Sequence, residues 1–136
     1  MWECPDCQRR FGRFGQGHEC APAMSIEEYF ESGPDFERPI FEVVLAHMQG
    51  LDPAIWFEPV SVGIFFKRCS VFLSLRTMTK WIAVGFQLER QLEHPRLSRK
   101  VQRNGNRYYH VVNVKTAVEI DDQLLDWLSE AWAADL

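Results

Sequence analysis

The chain has 136 residues, of which 46% are hydrophobic and 13% aromatic, so it can bury a substantial core and wholesale disorder is excluded. No run of about 18 apolar residues is present to span a bilayer, and the first residues are charged and cysteine-containing instead of forming an apolar signal region. We therefore expect a cytoplasmic protein with no membrane partner.

The formal net charge of −4 conceals a segregation of charge along the chain. Residues 21–66 carry one basic and eight acidic side chains, residues 67–115 carry eleven basic and two acidic ones, and residues 116–136 carry six acidic and no basic ones. A basic central segment is thus flanked by two acidic segments, so the overall charge says little about local partners.

Residues 1–24 are predicted to form a zinc knuckle followed by a linker. A Cys-x-x-Cys pair and a His-x-Cys pair lie within a short glycine-rich stretch, and three thiolates with one imidazole fill a tetrahedral zinc site. No coordination position is left for water, which indicates structural Zn²⁺. Unligated thiols, or iron in place of zinc, are the less favoured alternatives. The four predicted ligands are Cys4, Cys7, His18 and Cys20.

Residues 25–136 are predicted to form one α+β domain. Ser25 and Glu28 have the spacing of a capping box, which opens a short helix. An apolar stripe predicts a second helix from about Asp35 to Gln49, and Asp121 is the predicted N-cap of the last helix.

The segment Val60–Leu88 alternates with period two and predicts three consecutive antiparallel strands. Arg107–Val114 is predicted as a fourth strand after a long loop, while Ile55–Phe57 either docks on the core or adds an edge strand. The predicted architecture is a small two-layer α+β domain: an antiparallel four-stranded sheet with helices on one face, plus the knuckle. In the third strand the predicted core-facing residues are Ile82, Val84, Phe86 and Leu88.

The chain resembles the bacterial and archaeal family known as domain of unknown function 5655, in the version that carries an N-terminal Cys/His knuckle. The matching features are Cys4-Pro5-x-Cys7, Gln16-x-His18-x-Cys20, Tyr29-Phe30, Gly63-Ile64-Phe65-Phe66-Lys67, the helix start at Asp121, and Trp127. The resemblance implies a small α+β domain that is often attached to other modules, including ones related to restriction and defence. It implies no catalytic residues.

Basic and aromatic residues alternate along the predicted strands and loop, a combination typical of surfaces that bind single-stranded nucleic acid or another polyanion. Phe65 and Phe72 could share this open face. Because the helices would cover the opposite face, we expect their carboxylates to lie mostly out of pairing range. The predicted polyanion-binding residues are Lys67, Arg68, Arg76, Lys80, Trp81, Arg99, Lys100, Arg103, Arg107 and Tyr109.

No pattern of catalytic residues is found, and His47, His94 and His110 are the only histidines outside the knuckle. We expect His110, on a strand, to be a core histidine. The sequence favours a non-catalytic interaction module with a structural zinc site that binds a protein partner or self-associates. Polyanion binding is the first alternative, and an enzyme of unknown reaction is the second.

Overall fold

A computed structural model describes all residues from Met1 to Leu136. It contains three α-helices, a two-stranded sheet at the N-terminus and a six-stranded antiparallel sheet. The helices are α1 Ile26–Glu31, α2 Glu37–Leu51 and α3 Asp122–Ala134, and a short 3-10 helix spans Ala117–Glu119. The strands are β1 Trp2–Glu3, β2 Arg10–Phe11, β3 Trp56–Val60, β4 Gly63–Lys67, β5 Val71–Thr77, β6 Ile82–Leu88, β7 Gln102–Asn104 and β8 Arg107–Val114.

The predicted helix starts are confirmed by their capping bonds. The Ser25 hydroxyl accepts a hydrogen bond from the Glu28 N–H, and the Glu28 carboxylate accepts one from the Ser25 N–H. The Asp121 carboxylate accepts the N–H of Leu124 at the start of α3. These bonds satisfy donors that a helix terminus otherwise leaves unpaired.

The main sheet has the strand order β3-β4-β5-β6-β8-β7, so the prediction of four strands is wrong by two edge strands. One of them, β3, corresponds to the edge strand that the sequence left open at Ile55–Phe57. β3 pairs with β4 although it contains Pro59, because an edge strand can place a residue that lacks an N–H away from the ladder. β7 consists of three exposed polar residues and pairs with β8. A tight turn at Gly105, whose φ is +64°, connects the two strands. Neither edge strand shows the apolar alternation of the central ones.

The core lies between the helices and one face of the sheet. The predicted core-facing residues of β6 are all buried there, and side chains of α2 and α3 pack against them. Phe72 is fully buried in this core and does not share the open face. The β4–β5 register shifts beside it, with Phe66 opposite Leu73 and Lys67 opposite Val71, so Phe72 is an extra residue that the bulge turns inward.

The long loop before β7 is anchored along the edge of β8. The Leu92 N–H donates to His110 Nε2 at 3.0 Å, and the Ser98 N–H donates to the Val111 carbonyl at 2.8 Å. Leu97 forms an isolated bridge with Val112. The basic residues of this loop are therefore held in place on the sheet. None of the helices combines the length and apolar character needed to cross a membrane.

Candidate functional site

The first cysteine pair is brought together by a tight backbone turn. The Cys4 carbonyl accepts the N–H of Gln8, and the Cys4 N–H donates to the Arg9 carbonyl, both at 2.9 Å. Gln8 completes the turn with φ +62°, a left-handed conformation that glycine adopts more readily. The turn places the sulfurs of Cys4 and Cys7 on the same side of the chain, where the second pair of ligands meets them.

The side chains of Cys4, Cys7, His18 and Cys20 form a group that could hold a metal ion, with ligand atoms all within 4.8 Å of one another. Cys4 Sγ lies 3.7 Å from Cys20 Sγ, and Cys7 Sγ lies 3.5 Å from His18 Nε2. Zinc bond lengths at tetrahedral angles predict about 3.8 Å between two sulfurs and about 3.6 Å between sulfur and nitrogen. These two separations match a tetrahedral zinc site, and the other ligand atoms lie close enough to share the same ion. Cys69 lies outside this group and is a free, exposed thiol.

The His18 ring is oriented for ligation through Nε2. Its Nδ1 lies 2.6 Å from the carbonyl oxygen of Gln16, which fixes the proton on Nδ1 and leaves the Nε2 lone pair free. Phe11 stacks on the imidazole with ring centroids 3.9 Å apart, and Trp2 packs edge-on at 5.9 Å. The aromatic side chains of this short N-terminal segment therefore hold the His18 ring in a fixed orientation.

The pKa values of two thiols in the group are shifted in opposite directions. A hydrogen bond from the Cys7 N–H lowers the pKa of Cys4 to about 7, which favours a thiolate. The pKa of Cys20 is raised to about 12, chiefly because it shares a hydrogen bond with the Cys4 sulfur. A bound divalent cation would reverse this effect, since it stabilises every thiolate that coordinates it.

The knuckle docks on the sheet through the carboxylate of Glu58, which is 1% exposed. Glu58 accepts hydrogen bonds from Arg9 Nε at 3.0 Å, the Arg10 N–H at 2.8 Å, Lys67 Nζ at 2.7 Å and Trp56 Nε1 at 2.8 Å. Burial raises the pKa of Glu58, but these donors outweigh it and the pKa is lowered overall. One buried carboxylate thus joins the knuckle to β3 and β4.

The face of the sheet opposite the helices carries a groove with a volume of ≈ 530 Å³. Its floor is made of small residues. A Cβ on Gly85 would lie 2.3 Å from the Tyr109 hydroxyl and 2.7 Å from the Ser74 hydroxyl, so only glycine allows these two groups to converge there. The groove is lined by Phe65, Val71, Ser74, Arg76, Met78, Ala83, Gln87, Arg99, Gln102, Asn104 and Tyr109.

The groove contains two cations and no carboxylate. Neither Arg76 nor Arg99 forms a salt bridge, and Arg76 lies over the ring of Phe65 at 5.4 Å from its centroid. Phe65 also lines a second groove that runs beside the linker and contains Arg9 and Val62. The open face therefore continues from the knuckle side to β7.

The predicted polyanion-binding residues fall into three groups. Three of them line the groove together, namely Arg76, Arg99 and Tyr109. Lys80, Lys100 and Arg103 are exposed without salt bridges outside the groove, and Trp81 is half-buried outside it. The remaining three, Lys67, Arg68 and Arg107, are engaged within the protein: Lys67 is buried against Glu58, Arg68 stacks on Trp132, and Arg107 pairs with Asp135.

The expectation that helix carboxylates lie out of pairing range is wrong for α3 and the residues that flank it. Three arginines of the basic segment reach them: Arg90 pairs with Glu130, Arg96 with Asp121 and Arg107 with Asp135. These pairs form because the loop and the strand ends extend beyond the sheet to the helix. The groove residues Gln87, Gln102 and Asn104 were not predicted, and their only signal is their position on the face of the sheet opposite the core.

The fold and the metal-ligating group together define a two-layer α+β domain that carries a compact N-terminal Cys/His segment. A family model described as domain of unknown function (DUF5655) matches residues 26–134, and the chain belongs to this family. The matched residues begin after the metal-ligating group and end with the last residue of α3. Nothing among the curated proteins or the solved structures matches the chain.

Proposed function

We propose that the protein is a non-catalytic binding module in which one structural zinc ion stabilises the folded knuckle. The observation that supports zinc is the clustering of three sulfurs and one imidazole nitrogen within 4.8 Å, with two of the separations close to those of a tetrahedral zinc site. Cys4 and Cys7 are each 3% exposed, and four protein ligands leave no position for a substrate. The ion therefore acts by folding the knuckle, which binds metal and orders in one step.

Metal content tests the first part of this proposal. Native mass spectrometry of protein purified without chelators should show one zinc per chain in the wild type, and loss of the ion in Cys7→Ser. Cys69→Ser is the matched control, because Cys69 lies outside the ligand group. A chain without metal, or loss of metal in Cys69→Ser alone, would contradict the assignment.

We propose further that the groove on the open face binds single-stranded nucleic acid. The observation that carries this function is the combination of two unpaired arginines with two aromatic rings in a cleft that has no carboxylate. Arginine can follow a phosphate backbone while bases stack on Phe65 and Tyr109. The adjoining groove adds no free cation, because its Arg9 is paired with Glu58 and its lining also includes Glu19. A protein partner or a second copy of the chain is the competing occupant.

Fluorescence anisotropy with a labelled single-stranded oligonucleotide tests the groove. Between about 0.05 and about 0.2 M salt, Arg76→Gln/Arg99→Gln should reduce the magnitude of the log–log salt slope by about 1.4, which is about 0.7 for each phosphate that the variant no longer neutralises. Phe65→Ala should weaken binding with an unchanged slope, because stacking releases no counterions.

Arg38→Gln/Lys115→Gln is the charge-matched control, since both residues are exposed and lie outside the groove. It should leave the slope unchanged. Equal effects of the two double variants would overturn the assignment of the groove. Absence of binding at low salt, with a dimer mass in solution that Phe65→Ala abolishes, would favour self-association instead.

A further inference from the structure

A separate pocket, distinct from the groove on the open face, lies where the α1–α2 connection meets the end of β5. Its volume is ≈ 370 Å³, within the range of small-molecule sites. Glu37, the first residue of α2, is the only charged residue in its lining. The lining residues are Met24, Tyr29, Ser32, Gly33, Pro34, Glu37, Ser61 and Thr77.

The Glu37 side chain is built into a hydrogen-bonded chain at the base of this pocket. Tyr29 Oη lies 2.9 Å from Thr77 Oγ1, and Thr77 Oγ1 donates in turn to Glu37 Oε1. Burial raises the pKa of Tyr29, and the neighbouring Glu37 carboxylate raises it further, so the Tyr29 hydroxyl stays protonated. The chain of donors therefore runs from Tyr29 through Thr77 and ends on Oε1.

The other carboxylate oxygen, Glu37 Oε2, has no hydrogen-bond donor within the protein. Glu37 is only 4% exposed, but Oε2 is not among the side-chain atoms that are both sealed from solvent and unpaired, so this oxygen can be reached from the pocket. It points past Gly33, where a Cβ would lie 2.7 Å from it, and the absence of a side chain there keeps it open to the pocket. A nearly buried acceptor without a donor, in a pocket with no cation, is a site for a ligand that supplies both.

We propose that this pocket binds the primary ammonium group of a small organic molecule through Glu37 Oε2. A guanidinium prefers to engage both oxygens of a carboxylate, but Thr77 already occupies Oε1. A metal ion would find one carboxylate and no other strong ligand. A compact ammonium needs a single strong acceptor, and the hydroxyls of Ser32 and Ser61 can receive its remaining N–H groups. This site uses neither the metal group nor the groove.

Nuclear magnetic resonance of the ¹⁵N-labelled full chain tests the proposal. Titration with n-butylammonium should produce saturable shifts of the Gly33, Glu37 and Thr77 amides. Tetramethylammonium carries the same charge without N–H donors, and it should bind at least about tenfold more weakly. Glu37→Gln should weaken butylammonium binding by a similar factor, whereas Glu42→Gln, an exposed change on the same helix, should leave it unchanged.

A shift that is absent, or equal for the two cations, or unaltered in Glu37→Gln would overturn the proposal. A second variant keeps the test decisive if Glu37→Gln fails to fold. Thr77→Val frees Oε1, so methylguanidinium should then bind at least as tightly as butylammonium. Unchanged selectivity in Thr77→Val would show that Oε2 is not the point of contact.

Discussion

His110 is the histidine that the core encloses completely. Its ring stacks on Phe86 with centroids 5.3 Å apart, and Nε2 accepts the N–H of Leu92. Nδ1 must then carry the proton, and it has no partner. Burial lowers the pKa of His110 although backbone groups of Phe86 and Tyr108 act in the opposite direction. The expectation that His110 lies in the core is confirmed, but only one of its two ring nitrogens forms a hydrogen bond.

The lowered pKa of His110 makes the stability of the protein depend on pH. The unfolded chain binds a proton below about pH 6.5, while the folded chain resists it, so the contribution is full above that pH and is lost as pH falls. Relative to His110→Gln, the wild type should lose about 1.4 kcal/mol per pH unit below about pH 6.5, until the folded-state pKa is reached. Urea unfolding across this range measures the difference, and parallel pH curves for the two proteins would contradict it.

The four residues of the candidate metal group could be predicted from sequence because they lie within seventeen positions and their spacing reflects local turns. Lys67 shows why other residues could not. On the strand pattern it is simply a basic residue on the open face, and its burial depends on Glu58 of the neighbouring strand and on the backbone of Arg10. To predict a buried ion pair from sequence, one must already know which strands are adjacent.

Among the secondary-structure elements, the end of α3 is joined to the β4–β5 turn through Asp135. Its carboxylate is fully buried and accepts the N–H groups of Cys69 and Ser70 at 2.8 and 2.9 Å, the Ser70 hydroxyl at 2.6 Å and Arg107 at 2.8 Å. Burial raises the pKa of Asp135, but these donors lower it overall. The last helix is thereby fixed to the same turn that the knuckle contacts at Gly12.

Asp135→Asn should lower the free energy of unfolding by about 1.5–3 kcal/mol, because the variant lacks a charge-assisted acceptor for several buried donors. Asp126→Asn is the control, since Asp126 is exposed on the same helix and forms no salt bridge. Urea denaturation of both variants at neutral pH measures the effect. Equal stability of the two variants would show that Asp135 does not hold α3 in place.

The helices and central strands follow from periodicity and capping residues, whereas the two edge strands do not. β7 is polar and exposed on both sides, and β3 includes a proline, so neither presents a pattern that distinguishes it from a loop. The groove could not be predicted from the sequence either. Its lining comes from several strands and the loop, and the convergence of Ser74, Gly85 and Tyr109 depends on strand register.

Taken as a whole molecule, the protein contains two separate apolar clusters. The large cluster has 23 buried residues from the helices and the six-stranded sheet, and the small one consists of Cys4, Cys7 and Phe11 with Trp2 packed against it. The link between them includes the polar contacts of Glu58. The knuckle therefore adds little apolar burial to the domain.

A chain that begins at Met24 should fold without the knuckle. The Glu58–Lys67 pair stays within β3 and β4, so we expect a cooperative thermal transition at a lower midpoint. Calorimetry and near-ultraviolet circular dichroism of the truncated and full chains test this. A non-cooperative transition with dye-accessible apolar surface would show that the knuckle belongs to the core.

The segregation of charge along the sequence affects the orientation in which a charged ligand approaches the protein. Two acidic helices, α1 and α3, carry carboxylates on one layer, while the groove on the other layer carries only cations. The protein is thus a dipole despite its net negative charge. An approaching polyanion would be repelled from the helical layer and turned toward the groove before any contact forms. Added salt would weaken this long-range orientation before it weakens direct contacts. The orienting field acts over distances longer than the Debye length, which is roughly 10 Å in a 0.1 M solution.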